Sequence, residues 1–142
     1  MTAAAAVPRW SRPVGKWTPA MDREDLETVL HKVRAWRPFD AEALLDDVGA
    51  ALDDVLPADE DVDELVQRLR GHSIQLVDIA VAAEADQKDQ EARELIVKAR
   101  TVRSEEMPGD YRSAVGHLRR MAWSVNELLE RLVAIQCVKQ AA

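Results

Sequence analysis

Three histidines, one cysteine, five serines and a dense run of carboxylates are the residues of this chain that could do chemistry, and their spacing decides which chemistry is open. His31, His72 and His117 are far apart in sequence. A zinc site of the His-Glu-x-x-His kind needs two imidazoles four apart on one helix face, and di-iron bundles use Glu-x-x-His. Neither spacing occurs; Glu27 and His31, four apart, are a lone pair. Each histidine is therefore read as a structural or surface group, and no metal is expected. Cys137 lies in the last turns of the chain. A reactive thiol needs an electropositive, firmly held setting, which a helix end rarely supplies. One cysteine also forms no intramolecular disulfide. None of Ser11, Ser73, Ser104, Ser113 and Ser124 sits in a Gly-x-Ser-x-Gly turn, and Ser73, though next to His72, points about 100° away from it on a helix. No catalytic residue and no cofactor are expected, and the chain reads as a non-enzyme.

The charges are more informative. Residues 40–64 hold eleven acids and no base, whereas residues 1–17 hold Arg9, Arg12 and Lys16 and no acid. A calcium loop would need a central glycine among alternating acids, and Asp59-Glu60-Asp61-Val62-Asp63-Glu64 has none. The acidic stretch reads as helix-capping charge and a solvated face, or as a surface for a basic partner. Arg93, Lys98, Arg100 and Arg103 do not share one helix face, no glycine-rich phosphate loop exists, and the net charge is −7. Nucleic-acid binding is disfavoured on these grounds. The basic N-terminal stretch carries Trp10 and Trp17 among Pro8, Pro13 and Pro19. Large aromatics bury much apolar area with few torsions frozen, so they anchor interfaces. Trp10, Trp17, Arg9 and Arg12 are the expected partner-binding residues.

The elements that must position these groups are helices. Leu26, Val29, Leu30 and Val33 mark one face of a first helix that Pro38 ends. Asp40 caps a second, with apolar positions from Leu44 to Leu56 before Pro57. A third opens near Asp59 or Asp61 and carries Val62, Leu65, Val66, Leu69, His72, Leu76, Val77 and Ala80 to about Ala85. The polar residues 86–91 read as a turn. Ala92, Leu95, Ile96, Ala99 and Val102 mark a fourth helix, and Met107-Pro108-Gly109 a turn. Asp110 caps a fifth, whose apolar stripe is about three positions per heptad wide, the width of a core-facing bundle helix. No stretch alternates with period two. The expected fold is all-α: a compact bundle of about five helices over residues 18–142, preceded by an extended or mobile N-terminal arm at residues 1–17. Gly71 and Gly116 each precede a histidine inside an apolar-periodic helix. Because glycine there costs about 1 kcal/mol against alanine, a close crossing of the third and fifth helices at these two residues is expected.

Leu69-Arg70-Gly71-His72 and Ala114-Val115-Gly116-His117-Leu118-Arg119-Arg120-Met121-Ala122, with Ser124 and Leu128, resemble a family of short helical proteins from Streptomyces and related actinobacteria. That family is a domain of unknown function, loosely labelled a natural product biosynthesis protein. The resemblance spans roughly residues 20–135 and implies a gene-cluster context, with no cofactor or catalytic residue to carry over. No unbroken apolar run exceeds five residues, so no membrane span or membrane partner is expected. The first eight residues lack the pattern of a secretory signal, which makes the cytoplasm the expected location. The function that follows is a non-catalytic interaction or accessory protein whose arm docks on a protein partner or on a second copy, the latter giving a homodimer. A small-molecule pocket between helices, lined by Trp36, Trp123 and the histidines, is the alternative, and a DNA-associated regulator the second.

Overall fold

The computed structural model describes residues 22–35 and 38–138. The chain divides after Pro38 into two compact units. The described part of the first is one helix, α1 (Arg23–Ala35). Asp22 opens it: its carboxylate accepts the Asp25 amide at 2.8 Å. Glu24 and Asp25 in the first turn and Lys32 and Arg34 in the last complement the helix dipole. Its apolar stripe is uncovered, with Leu26, Val29, Leu30 and Val33 at 42, 39, 51 and 63% exposure.

The second unit holds α2 (Ala41–Leu52), α3 (Asp59–Ala82), α4 (Ala85–Lys88), α5 (Gln90–Ser104) and α6 (Tyr111–Ala134). No strand occurs among the described residues. The side chain of Asp40 caps α2 and that of Asp110 caps α6, both as their positions before an apolar-periodic run predict. α6 is the centre. Eleven of its residues are buried, among them Leu118, Met121, Val125, Leu128 and Leu132. So wide a face cannot be hidden by one neighbour, and α2, α3 and α5 all pack against it. The Tyr111 hydroxyl donates to the Pro57 carbonyl at 2.7 Å, which sets the starts of α3 and α6 side by side. α5 runs the other way: Asp89 at its start meets Arg131 late in α6, and Glu105 at its end meets Arg120 early in α6.

The described residues form six helices rather than about five. The extra one, α4, lies in the polar stretch expected to be a turn. α3 stops at Ala82, Glu84 takes a left-handed conformation (φ 57°), and a single four-residue turn of helix follows before Asp89 caps α5. α2 also stops short of Pro57. Asp53 leaves the helix and its carboxylate accepts the Val55 amide at 3.2 Å, a local bond that competes with helix continuation. Val55 and Leu56 are exposed in the connection instead of extending the apolar face.

The expected crossing at glycines is not how α3 and α6 meet. They pack against each other, yet a Cβ built on Gly71 meets nothing within 4 Å, and one on Gly116 meets only the Arg120 guanidinium at 3.6 Å, an ordinary contact. Gly71 sits on the exposed side of α3. Its helix cost is therefore offset by no close approach. Gly71→Ala should raise unfolding stability by about 0.5–1 kcal/mol, read as a higher urea midpoint at unchanged slope. A lower midpoint would show that the position makes a contact that its open surroundings do not reveal.

Candidate functional site

The polar residues gather in three sets, each bridging two elements. Asp47 on α2 receives a hydrogen bond from His72 Nε2 at 2.8 Å and an ion pair from Arg68 Nε at 3.2 Å, both on α3. Arg68 also reaches Glu64, one turn back, at 3.0 Å. Asp47 and His72 are mostly covered, with side chains 15 and 16% exposed. A carboxylate–imidazole pair of this kind fixes an imidazole tautomer and can hold a proton. Acyl transfer would further need a nucleophile hydrogen-bonded to the ring, and among the described residues no hydroxyl or thiol is. Ser73 is buried and its Oγ has no hydrogen-bond partner. The pair works as a tie between α2 and α3.

The second set joins the end of α5 to α6. Glu105 caps α5. Its carboxylate lies 3.4 Å from Nδ1 of His117 and 3.3 Å from Nη2 of Arg120. His117 is wholly buried, and neither ring nitrogen makes a hydrogen bond to a protein group. The third set joins the start of α5 to α6. Asp89, the α5 cap, accepts the Ala92 amide at 3.2 Å and two hydrogen bonds from the Arg131 guanidinium, the Nε one at 2.9 Å; Arg131 also pairs with Glu91 at 3.1 Å. The Arg131 hydrogen bond, aided by that amide, holds the Asp89 carboxyl below its ordinary range despite the cost of burial, and the same contact raises Arg131. Asp110 is lowered too, first by the Ser113 amide and then by the Ser113 hydroxyl.

The expected partner-binding residues Trp10, Trp17, Arg9 and Arg12 lie outside the described residues, as does Trp36. Within the second unit His72 faces Asp47 and His117 faces Glu105, while His31 is exposed on α1 of the first. Among the described residues no group of three or more histidines, cysteines or acids is placed to hold a metal ion, and no helix is long and apolar enough to cross a membrane. Trp123, expected to line a pocket between helices, is 53% exposed, because it falls just off the buried stripe of α6. A shallow depression of about 280 Å³ is lined by Glu91, Leu95, Glu127 and Arg131 among others. Of its charged groups, Glu91 pairs with Arg131, Glu127 with Lys98, and Glu130 accepts a hydrogen bond from Asn126. Asp89 and Arg131 escape the sequence reading. An Asp three residues before the amide of an apolar Ala92 was the available signal for the cap; nothing local signals Arg131, 42 residues away.

The described residues also expose an apolar face. Leu26, Val29, Leu30 and Val33 form a stripe on α1 at helical spacing, each more than one-third exposed. Single exposed apolar residues are ordinary, but four on one face are the pattern of a docking helix.

Residues 42–137 match a family of unknown function (DUF6415). No curated protein and no solved structure matches the chain.

Because the Asp89 and Asp110 carboxyls are lowered in the folded state, each adds stability that is present above the ordinary carboxyl range and lost as the pH falls through its folded value. Asparagine keeps a cap acceptor and removes the charge. The double variant Asp89→Asn/Asp110→Asn should thus lose less stability than the parent between about pH 5 and pH 2, measured by thermal melts across that range. An acid limb as steep as the parent's would show that other groups govern it.

Proposed function

We propose, from the premise that the chain belongs to the family of unknown function (DUF6415), that it is a non-catalytic accessory protein which binds a protein partner through its N-terminal segment. The observation that carries this reading is the uncovered apolar stripe of α1. A 13-residue helix is marginal by itself in water, so α1 gains stability from whatever covers Leu26, Val29, Leu30 and Val33. The partner it fits presents an apolar groove edged by charge of both signs, since acids and bases flank the stripe. Trp10, Trp17, Arg9 and Arg12 would extend the same contact.

The polar sets support the non-catalytic half of the reading. Asp47, His72, Asp89, Arg131 and Glu105 are each engaged by a neighbour, in pairs that hold helices in register. The finer placement also belongs to this proposal. Its resemblance to the actinobacterial family suggests an accessory role beside the enzymes of a natural product pathway, in the cytoplasm.

A photo-crosslinking residue placed in the full chain at Leu30 or at Thr28, on the opposite side of α1, tests the reading in the host cell. We expect a protein adduct from position 30 and none from position 28, with the position-30 adduct abolished by Leu26→Asp. Binding of that protein to the purified full chain should then weaken at least about tenfold in Leu26→Asp. Adducts at neither position, or binding that Leu26→Asp leaves unchanged, would remove α1 as the docking element.

A further inference from the structure

The order of charges along α1 points to one occupant. We infer that the partner covering this face is a second copy of the chain, its α1 lying antiparallel to the first; the inference rests on the docking reading above. The stripe is symmetric about a point between Val29 and Leu30. Reversing the helix about that point lays Leu26 on Val33 and Val29 on Leu30. Asp25 and Lys32 lie on one flank of the stripe and Glu27 and Arg34 on the other, so the same pairing sets Asp25 beside Lys32 of the second copy and Glu27 beside its Arg34. Acids occupy the first half of the helix and bases the second, so each acid beside the stripe meets a base of the partner, and the two-fold axis repeats each pair. A parallel pairing would set acid on acid and base on base.

Arg23 alone breaks the order. It pairs with Glu27 on its own helix at 3.1 Å, but the two side chains are 93 and 64% exposed. Such a pair is held weakly in water and leaves Glu27 free to turn to Arg34 of a second copy. Antiparallel packing also sets the positive N-terminal end of each dipole beside the negative C-terminal end of the other. The strip is short, about 20 Å for 13 residues. It falls below the area of a standard stable interface, so the dimer should be weak, with a dissociation constant of about ten to a few hundred micromolar.

Sedimentation of the full chain from about 5 to 500 µM tests this. The average mass should rise from 15.9 kDa towards twice that value. Glu27→Lys places lysine against Arg34 across the two-fold axis, and Arg34→Glu places glutamate against Glu27. Each variant alone should dimerise at least about tenfold more weakly than the parent, and an equimolar mixture of the two should recover the parent's dimer, since each mixed pair is again acid with base. A helix merely damaged by substitution would not be rescued by a second damaged helix. A mass that stays at 15.9 kDa throughout, or a mixture as monomeric as its components, overturns self-pairing. If the position-30 crosslink then captures a different protein, the docking reading survives and only the identity of the partner falls. If position 30 captures nothing, both fall.

Discussion

The wide apolar face of α6 is the constraint on which the second unit depends. Its buried positions run from Ala114 to Leu132 and span more of the helix circumference than one packed neighbour can cover. Burying a leucine or valine side chain is worth about 1.5–3 kcal/mol. Leaving one flank of this helix in water would therefore forfeit several such terms, so α2, α3 and α5 must all reach it. Their own buried residues, such as Leu44, Leu69, Leu76 and Ile96, supply the complementary surface. Hydrophobic burial is non-directional, however, and does not by itself fix how far one helix slides along another.

The polar sets supply that register. Asp47 with Arg68 and His72 fixes α2 against α3, Asp89 with Arg131 fixes the start of α5, and Glu105 with Arg120 fixes its end. Tyr111 adds a hydrogen bond to the Pro57 carbonyl at the starts of α3 and α6. These contacts differ in weight. Arg23–Glu27 is solvated and holds little, whereas Asp89 is largely covered and doubles as a helix cap. Asp47, His72, Asp89 and Glu105 are thus engaged in placing helices. The family match, residues 42–137, covers α3 to α6 and nearly all of α2 and leaves α1 outside. The second unit buries a core around α6, and in the first the apolar stripe of α1 is exposed.

Five of the helices could be read from residues alone, because each couples a periodic apolar face to a punctuating signal: Asp40 and Asp110 as caps, Pro38 as a stop and Met107-Pro108-Gly109 as a turn. α4 could not, since four residues without an apolar face give periodicity nothing to detect. Gly71 suggested a close crossing because glycine inside a helix is costly, but cost alone does not say whether anything offsets it, and here the surroundings are open. Trp123, expected to line a pocket between helices, is turned outward by the phase of α6. Of the candidate site, the stripe on α1 was visible as a helix face; that it stays uncovered was not, because exposure is a property of neighbours.

What the sequence determined by itself was therefore everything that depends on spacing within a turn or two: the all-helical class, the caps, the three-position stripe of α6 and the opposed halves of charge on α1. Only the tertiary structure decided which distant residues meet. Asp47 and His72 stand 25 residues apart, Asp89 and Arg131 stand 42 apart, and the α2–α3 contact places one pair while the α5–α6 contact places the other. The physical reason is that local periodicity states which face of a helix must be buried. The choice of the surface that buries it is made by all the faces at once.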